Sequence, residues 1–200
     1  MKKAPVLLAL LFCTLQLTAQ KMDSAQLAVK KVYIDFVKWY RNHSDKIDHY
    51  DLFRGSSTNE NGMQPPWIMN WKTVEKYLAN LPKKAPWLGA AFVANERKFL
   101  KSCEQYWKKH PEEELTVGFD FDRFIGGQES PQVMADEYIL SKKVKWLVEI
   151  KGNNAVIYYI HPTETDDNGK PLAIKKGTNV QMKKENGVWK IARLQNYFAG

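Results

Sequence analysis

"TNVQMKKENGVWKIARLQ", residues 178–195, places Asn186 and Gly187 between two runs in which apolar and polar residues alternate. Asn and Gly accept the positive φ angles of a two-residue turn, so this segment predicts a β-hairpin. Two earlier runs of strand-like residues, 143–150 and 155–162, flank a second turn sequence, KGNN. The C-terminal part of the chain therefore predicts an antiparallel meander.

The N-terminal half has the apolar spacing of helices instead. In residues 23–46, apolar side chains recur every three or four positions, and Asp23 with Gln26 forms a candidate capping box. A second helix is predicted from Asn70 to the residue before a proline, at 70–81. A third is predicted over 86–109, with a proline in its first turn.

The segment between the first two helices, residues 51–67, contains Gly, Ser, Asn and a double proline. These residues favour turns, so we expect a long surface loop. At its end, Trp67 either anchors the loop or contacts a ligand. Helices that precede an antiparallel meander are typical of the α+β class. We predict an α+β domain with about three N-terminal helices packed on one face of a curved antiparallel sheet.

The N-terminus has the features of a targeting segment. Lys2 and Lys3 precede an apolar run at 6–17, and small residues follow it. We predict a signal peptide at residues 1–20 and a single domain at 21–200. The apolar run is shorter than the roughly 20 residues that span a bilayer. We therefore expect an exported protein, periplasmic or extracellular, with no transmembrane segment after cleavage.

The chain has two cysteines, Cys13 and Cys103. A lipoprotein signal requires a small residue before its cysteine, and Phe12 is bulky, so we expect no lipid anchor. Removal of residues 1–20 leaves Cys103 alone, and no intramolecular disulfide can then form. Cys103 lies on the apolar stripe of the third predicted helix, which favours a buried, unreactive thiol. An exported chain without disulfides suggests a bacterial cell envelope.

The formal net charge is +8, and the excess is almost all lysine. Nucleic-acid recognition favours arginine for bidentate contacts, so we expect no nucleic-acid partner. The lysines occur in pairs spread along the chain, as they do on solvated faces. A weaker alternative is attraction to an anionic envelope surface.

The densest polar motif is "GFDFDRFIGGQES", residues 118–130. An EF-hand register beginning at Asp120 places Phe, Ile and Pro where calcium ligands or glycine are required. The four histidines have no zinc-ligand spacing, so we expect neither metal nor cofactor. Two interpretations remain open for Asp120 and Asp122. They can be a paired acid and base in a pocket, or they can accept hydrogen bonds from backbone N–H groups at the junction of helices and sheet.

Three segments carry a family resemblance: "FVKWY" at 36–40, "LGAAF" at 88–92 and "DFDRFIGGQES" at 120–130. They resemble DUF3828, an exported bacterial family of unknown function. Arg123 replaces that family's usual proline, and Glu129 takes the place of its second acid. The resemblance, together with the closing hairpin, implies a nuclear-transport-factor-2-like (cystatin-like) fold with a cone-shaped pocket. Such folds host both enzymes and binding proteins.

We expect an exported, non-catalytic domain that binds a small molecule or an envelope protein, with a homodimer as an alternative arrangement. The candidate ligand-binding residues are Asp120, Asp122, Arg123, Gln128, Glu129 and Trp67. One alternative is a hydrolase or isomerase that uses Asp120 and Asp122. Another is an inhibitor or immunity-type protein that blocks a partner enzyme.

Overall fold

A computed structural model of the chain describes residues 22–60 and 62–195. The predicted signal peptide lies outside the described residues. The α+β class is confirmed, whereas the cone shape stays a prediction. The main elements are four helices and six strands: α1 (Ser24–Tyr40), α2 (Asp45–Asp48), β1 (Phe53–Asn59), β2 (Gly62–Met69), α3 (Trp71–Lys84), α4 (Ala90–Lys109), β3 (Lys145–Lys151), β4 (Asn154–Ile160), β5 (Thr178–Glu185) and β6 (Val188–Gln195).

The four C-terminal strands form the predicted meander, an antiparallel sheet in the order β3-β4-β5-β6. The turn between β5 and β6 has positive φ at both central residues, 49° at Asn186 and 81° at Gly187. This geometry matches the right-handed twist of the two strands. In register, Val148, Ile157, Val180 and Leu194 form one row across the sheet. These four side chains lie on the sheet face that packs into the hydrophobic core.

Helix α1 packs on this apolar face. The predicted capping box at its start is confirmed, since Asp23 accepts from the Gln26 N–H and Gln26 accepts from the Asp23 N–H. The Gln26 side chain also donates to the carbonyl of Val148 on β3 at 2.8 Å. Tyr33 stacks on Tyr159 of β4, with ring centroids 5.7 Å apart. The helix ends at Tyr40, earlier than the periodicity predicted.

The prediction of a loop at residues 51–67 is wrong, because β1 and β2 pair there as an antiparallel hairpin. Most of its side chains are exposed, so the sequence lacks the apolar alternation that marks a half-buried strand. Pro65 and Pro66 lie where the ladder register shifts, and a missing N–H is tolerated at such a position. A glycine is required at position 55, since a Cβ there would lie 2.4 Å from the Gln64 carbonyl oxygen.

The bounds of the other helices differ from prediction. Helix α3 continues through Pro82 to Lys84. Helix α4 begins at Ala90 rather than in residues 86–89, because its first N–H groups are capped by a side chain distant in sequence. Residues 131–139, which the sequence analysis left without an element, form a short α-helical turn, α5 (Pro131–Val133), and a π-helix (Met134–Ile139). Among the described residues, no helix has both the length and the apolar character to cross a membrane.

Candidate functional site

The 118–130 motif folds around one carboxylate. Asp122 accepts hydrogen bonds at Oδ1 from the backbone N–H groups of Phe124, at 2.7 Å, and Ile125, at 3.1 Å. Its own N–H donates to the Gly127 carbonyl, and its carbonyl accepts from the Gly126 N–H, both at 2.9 Å. The two glycines have φ of 75° and 87°, a region that glycine adopts without steric cost. Asp122 therefore closes a tight turn.

The other oxygen of Asp122 connects this turn to the first helix. The Tyr40 hydroxyl, at the end of α1, donates to Asp122 Oδ2 at 2.9 Å. The Tyr40 ring also lies against Phe124, with centroids 5.1 Å apart. One carboxylate thus holds the motif to the helix that covers the sheet. This matches the backbone-capping interpretation of Asp122, since both carboxylate oxygens accept hydrogen bonds.

Arg123 lies in a nearly buried ion pair. Its Nη2 donates to Glu96 Oε1 at 3.1 Å, and the two side chains are 13% and 10% exposed. The same nitrogen lies 3.2 Å from the Tyr77 hydroxyl, which donates to Glu96 at 2.8 Å. The guanidinium also lies 4.5 Å from the ring centroid of Phe119. Burial and the nearby Glu96 carboxylate raise the pKa of Tyr77 well above its usual range, so it remains a neutral donor.

A cavity of about 490 Å³ opens beside the motif, and we call it the acidic cavity. Five of the six predicted binding residues line it: Asp120, Asp122, Arg123, Gln128 and Glu129. Its volume falls within the roughly 300–1,000 Å³ of small-molecule sites. The structure therefore brings the polar residues of the motif to one concave surface.

The carboxylates of this cavity differ in their availability. Asp122 is engaged as described, whereas Asp120 and Glu129 are exposed. Neither Asp120 nor Glu129 has a hydrogen bond or ion pair with any residue in the described part of the chain, 22–60 and 62–195. Since Arg123 pairs with Glu96, neither Asp120 nor Glu129 has a cationic partner among the described residues.

Aromatic side chains form much of the remaining wall. They come from two separate segments: Tyr50 and Phe53 from one, Phe119 and Phe121 from the other. Phe53 packs on Phe119 with ring centroids 4.8 Å apart, which joins the segments. Tyr50 and Phe53 were not predicted from the sequence, because nothing local connects the end of α2 with the 118–130 motif. Their only signal was two aromatic residues within a polar stretch.

Trp67, the sixth predicted residue, lies outside this lining. It is on β2, half-buried, with its indole N–H donating to the Glu113 carbonyl at 2.9 Å. Its ring packs edge-to-face on Phe53, with centroids 5.9 Å apart. These contacts anchor the β1–β2 hairpin to the segment after α4. Trp67 thus supports the cavity wall through Phe53.

Cys103 is buried, as predicted, and burial raises the pKa of its thiol to about 12. Because the folded-state pKa is the higher one, the neutral thiol favours folding below its unfolded pKa. That contribution is lost as pH rises towards about 12. At neutral pH the thiol is protonated and is a poor nucleophile. Among the described residues, no group of three or more His, Cys, Asp or Glu side chains could hold a metal ion.

No protein-family model, curated protein or solved structure matches this chain. The family resemblance of residues 36–40, 88–92 and 120–130 therefore stays a prediction.

Proposed function

We propose that the protein is a non-catalytic binding domain whose acidic cavity takes a small organic cation. The observation that carries this proposal is the convergence of Asp120 and Glu129, neither with a cationic partner among the described residues, on a concave surface with aromatic walls. Carboxylates attract an ammonium group, and aromatic faces add cation–π attraction of about 0.5–1 kcal/mol at exposed sites.

Binding is better supported than acid–base catalysis. A catalytic pair requires two carboxyl groups that can exchange protons with a substrate. Asp122 accepts two backbone hydrogen bonds at one oxygen and the Tyr40 hydroxyl at the other. Using it as an acid or base would release the turn that it closes. The hydrolase or isomerase alternative would have to rely on Asp120 without this partner.

The N-terminal sequence supports export to a bacterial envelope, and the three motifs support kinship with DUF3828. Within residues 22–60 and 62–195, we identify no contact surface that specifically favours the inhibitor alternative or a protein partner. The small-molecule form of the binding hypothesis is therefore the one we retain.

The test is a calorimetric titration with benzylamine and putrescine, with benzyl alcohol as the neutral counterpart. We expect both amines to bind and the alcohol to bind up to about fivefold more weakly, since an exposed ion pair contributes up to about 1 kcal/mol. The double variant Asp120→Asn/Glu129→Gln should lose that preference. A native mass spectrum of the purified protein would reveal a co-purified natural cation.

A matched control carries Glu112→Gln and Asp167→Asn, two exposed carboxylates outside the cavity lining. It removes the same charge and should bind the amines like the parent protein. If both double variants weaken amine binding equally, the effect is general charge and the proposal fails. It also fails if the alcohol binds as tightly as the amines, or if none of the probes binds.

A further inference from the structure

A second cavity, of about 310 Å³, adjoins the first, and we call it the basic cavity. Phe121 and Arg123 line both cavities, so the two are neighbours. The rest of the basic cavity comes from one face of α4 and the end of β6. Its apolar wall consists of Phe92, Phe99, Phe121 and Leu194.

The charges of this cavity are opposite to those of the acidic cavity. Its lining contains Glu96, Lys98, Arg123 and Arg193. Glu96 and Arg123 neutralise each other at 3.1 Å. Lys98 and Arg193 are exposed, and within residues 22–60 and 62–195 neither side-chain cation has a hydrogen bond or ion pair. Two positive charges therefore border an aromatic pocket.

The frame of the basic cavity is fixed by contacts between α4 and β6. Asn95 on α4 donates to the Ala192 carbonyl on β6 at 3.0 Å. Phe92 is buried against Phe124, with ring centroids 6.1 Å apart. The apolar wall is therefore largely formed before any ligand arrives, and a preformed wall reduces the ordering cost of binding.

We propose that the basic cavity binds a small carboxylate with an apolar body. The guanidinium of Arg193 can meet a carboxylate in bidentate geometry, and Lys98 adds a point charge. The aromatic wall accepts the apolar part of the ligand, whose burial contributes in proportion to area. The volume is at the lower limit of small-molecule sites, which selects a compact ligand such as an arylacetate.

The test is a titration with phenylacetate, with phenylacetamide as the uncharged counterpart of nearly equal shape. We expect phenylacetate to bind at least fivefold more tightly at low salt, and the difference to shrink as ionic strength rises. The double variant Lys98→Gln/Arg193→Gln should bind the two compounds alike. Both positions are exposed, so circular dichroism should confirm an unchanged fold.

Matched controls separate this site from general charge and from the acidic cavity. Lys101→Gln/Lys183→Gln removes two exposed cations from α4 and β5 outside the lining, and should leave phenylacetate binding unchanged. Asp120→Asn/Glu129→Gln should not weaken it either. The proposal is overturned if phenylacetate and phenylacetamide bind equally well, or if neither binds. It is also overturned if Lys101→Gln/Lys183→Gln loses as much phenylacetate affinity as Lys98→Gln/Arg193→Gln. A loss of phenylacetate binding in Asp120→Asn/Glu129→Gln would place the anion outside the basic cavity, and would also overturn the proposal.

Discussion

At the scale of single residues, Asp120 and Asp122 show how two identical side chains two positions apart acquire different roles. Asp122 faces the backbone N–H groups of Phe124 and Ile125 and the hydroxyl of Tyr40. Asp120 is exposed at the acidic cavity and has no such contact among the described residues. The first therefore contributes to stability, and the second is available to a ligand.

This division predicts the effect of removing each carboxylate. Asp122→Ala leaves two backbone N–H groups and one hydroxyl without their acceptor; each loss costs about 1–3 kcal/mol when fully buried, and less for these part-buried groups, which water can reach. We expect the free energy of unfolding to fall by about 2–4 kcal/mol. Urea denaturation followed by tryptophan fluorescence measures it. Asp122→Asn retains one acceptor oxygen, so its free energy of unfolding should lie between that of the parent and that of Asp122→Ala.

The control for this experiment is Asp120→Ala. An exposed side chain without partners contributes little, so its removal should change the free energy of unfolding by no more than about 0.5 kcal/mol. Comparable losses for the two alanine variants would contradict the assignment of Asp122 as the structural member of the pair.

At the scale of elements, helix α4 is connected to the sheet by a cap from another element. The Glu185 carboxylate, at the end of β5, accepts from the backbone N–H groups of Ala90, at 2.9 Å, and Ala91, at 3.1 Å. A negative charge at this end of a helix also complements the helix dipole. Gly89 leaves the necessary room, because a Cβ there would lie 2.6 Å from a Glu185 carboxylate oxygen.

The shared space between these two residues predicts non-additive mutations. Glu185→Ala removes the cap and should lower the free energy of unfolding by about 1–2 kcal/mol. Gly89→Ala should lower the free energy of unfolding by a similar amount, because the added methyl group displaces the Glu185 carboxylate. Backbone strain adds nothing, since alanine readily adopts the φ of −87° at this position. Glu185→Ala removes the three atoms that would lie nearest to the added methyl group. The double variant should therefore be about as stable as Glu185→Ala alone.

Urea denaturation of the parent, both single variants and the double variant measures this coupling. Two costs that simply add would show that Gly89 and Glu185 act independently. Glu114→Ala, which removes an exposed carboxylate outside any helix, serves as the charge control and should be neutral.

At the scale of the whole molecule, the sequence predicts local features better than long-range ones. The turn at Asn186 and Gly187 and the cap at Asp23 depend on residues adjacent in sequence, and both are confirmed. The start of α4 was misplaced because its cap, Glu185, is distant in sequence. The acidic motif was recognised, but the wall containing Tyr50 and Phe53 forms only when the chain folds.

The β1–β2 hairpin provides the last prediction, which concerns how stability is distributed over the molecule. It forms a two-stranded sheet of its own, and the described residues of its outer half, 57–60 and 62–64, are mostly exposed. Strand β4 is instead paired on both sides and buries Ala155 and Ile157. Local opening is easiest where few apolar groups are buried. We expect amides in the outer half of the hairpin to exchange at least about 100-fold faster than those of β4.

Hydrogen exchange followed by mass spectrometry at peptide resolution measures this difference. The base of the hairpin, where Met69 is buried and Trp67 donates to Glu113, should exchange at an intermediate rate because it is attached to the core. The edge strand β3 is the comparison for a strand paired on one side only. If the outer hairpin were as protected as β4, its stability would have to come from contacts beyond its own ladder. The exposed side chains of the hairpin would then have to be covered in solution.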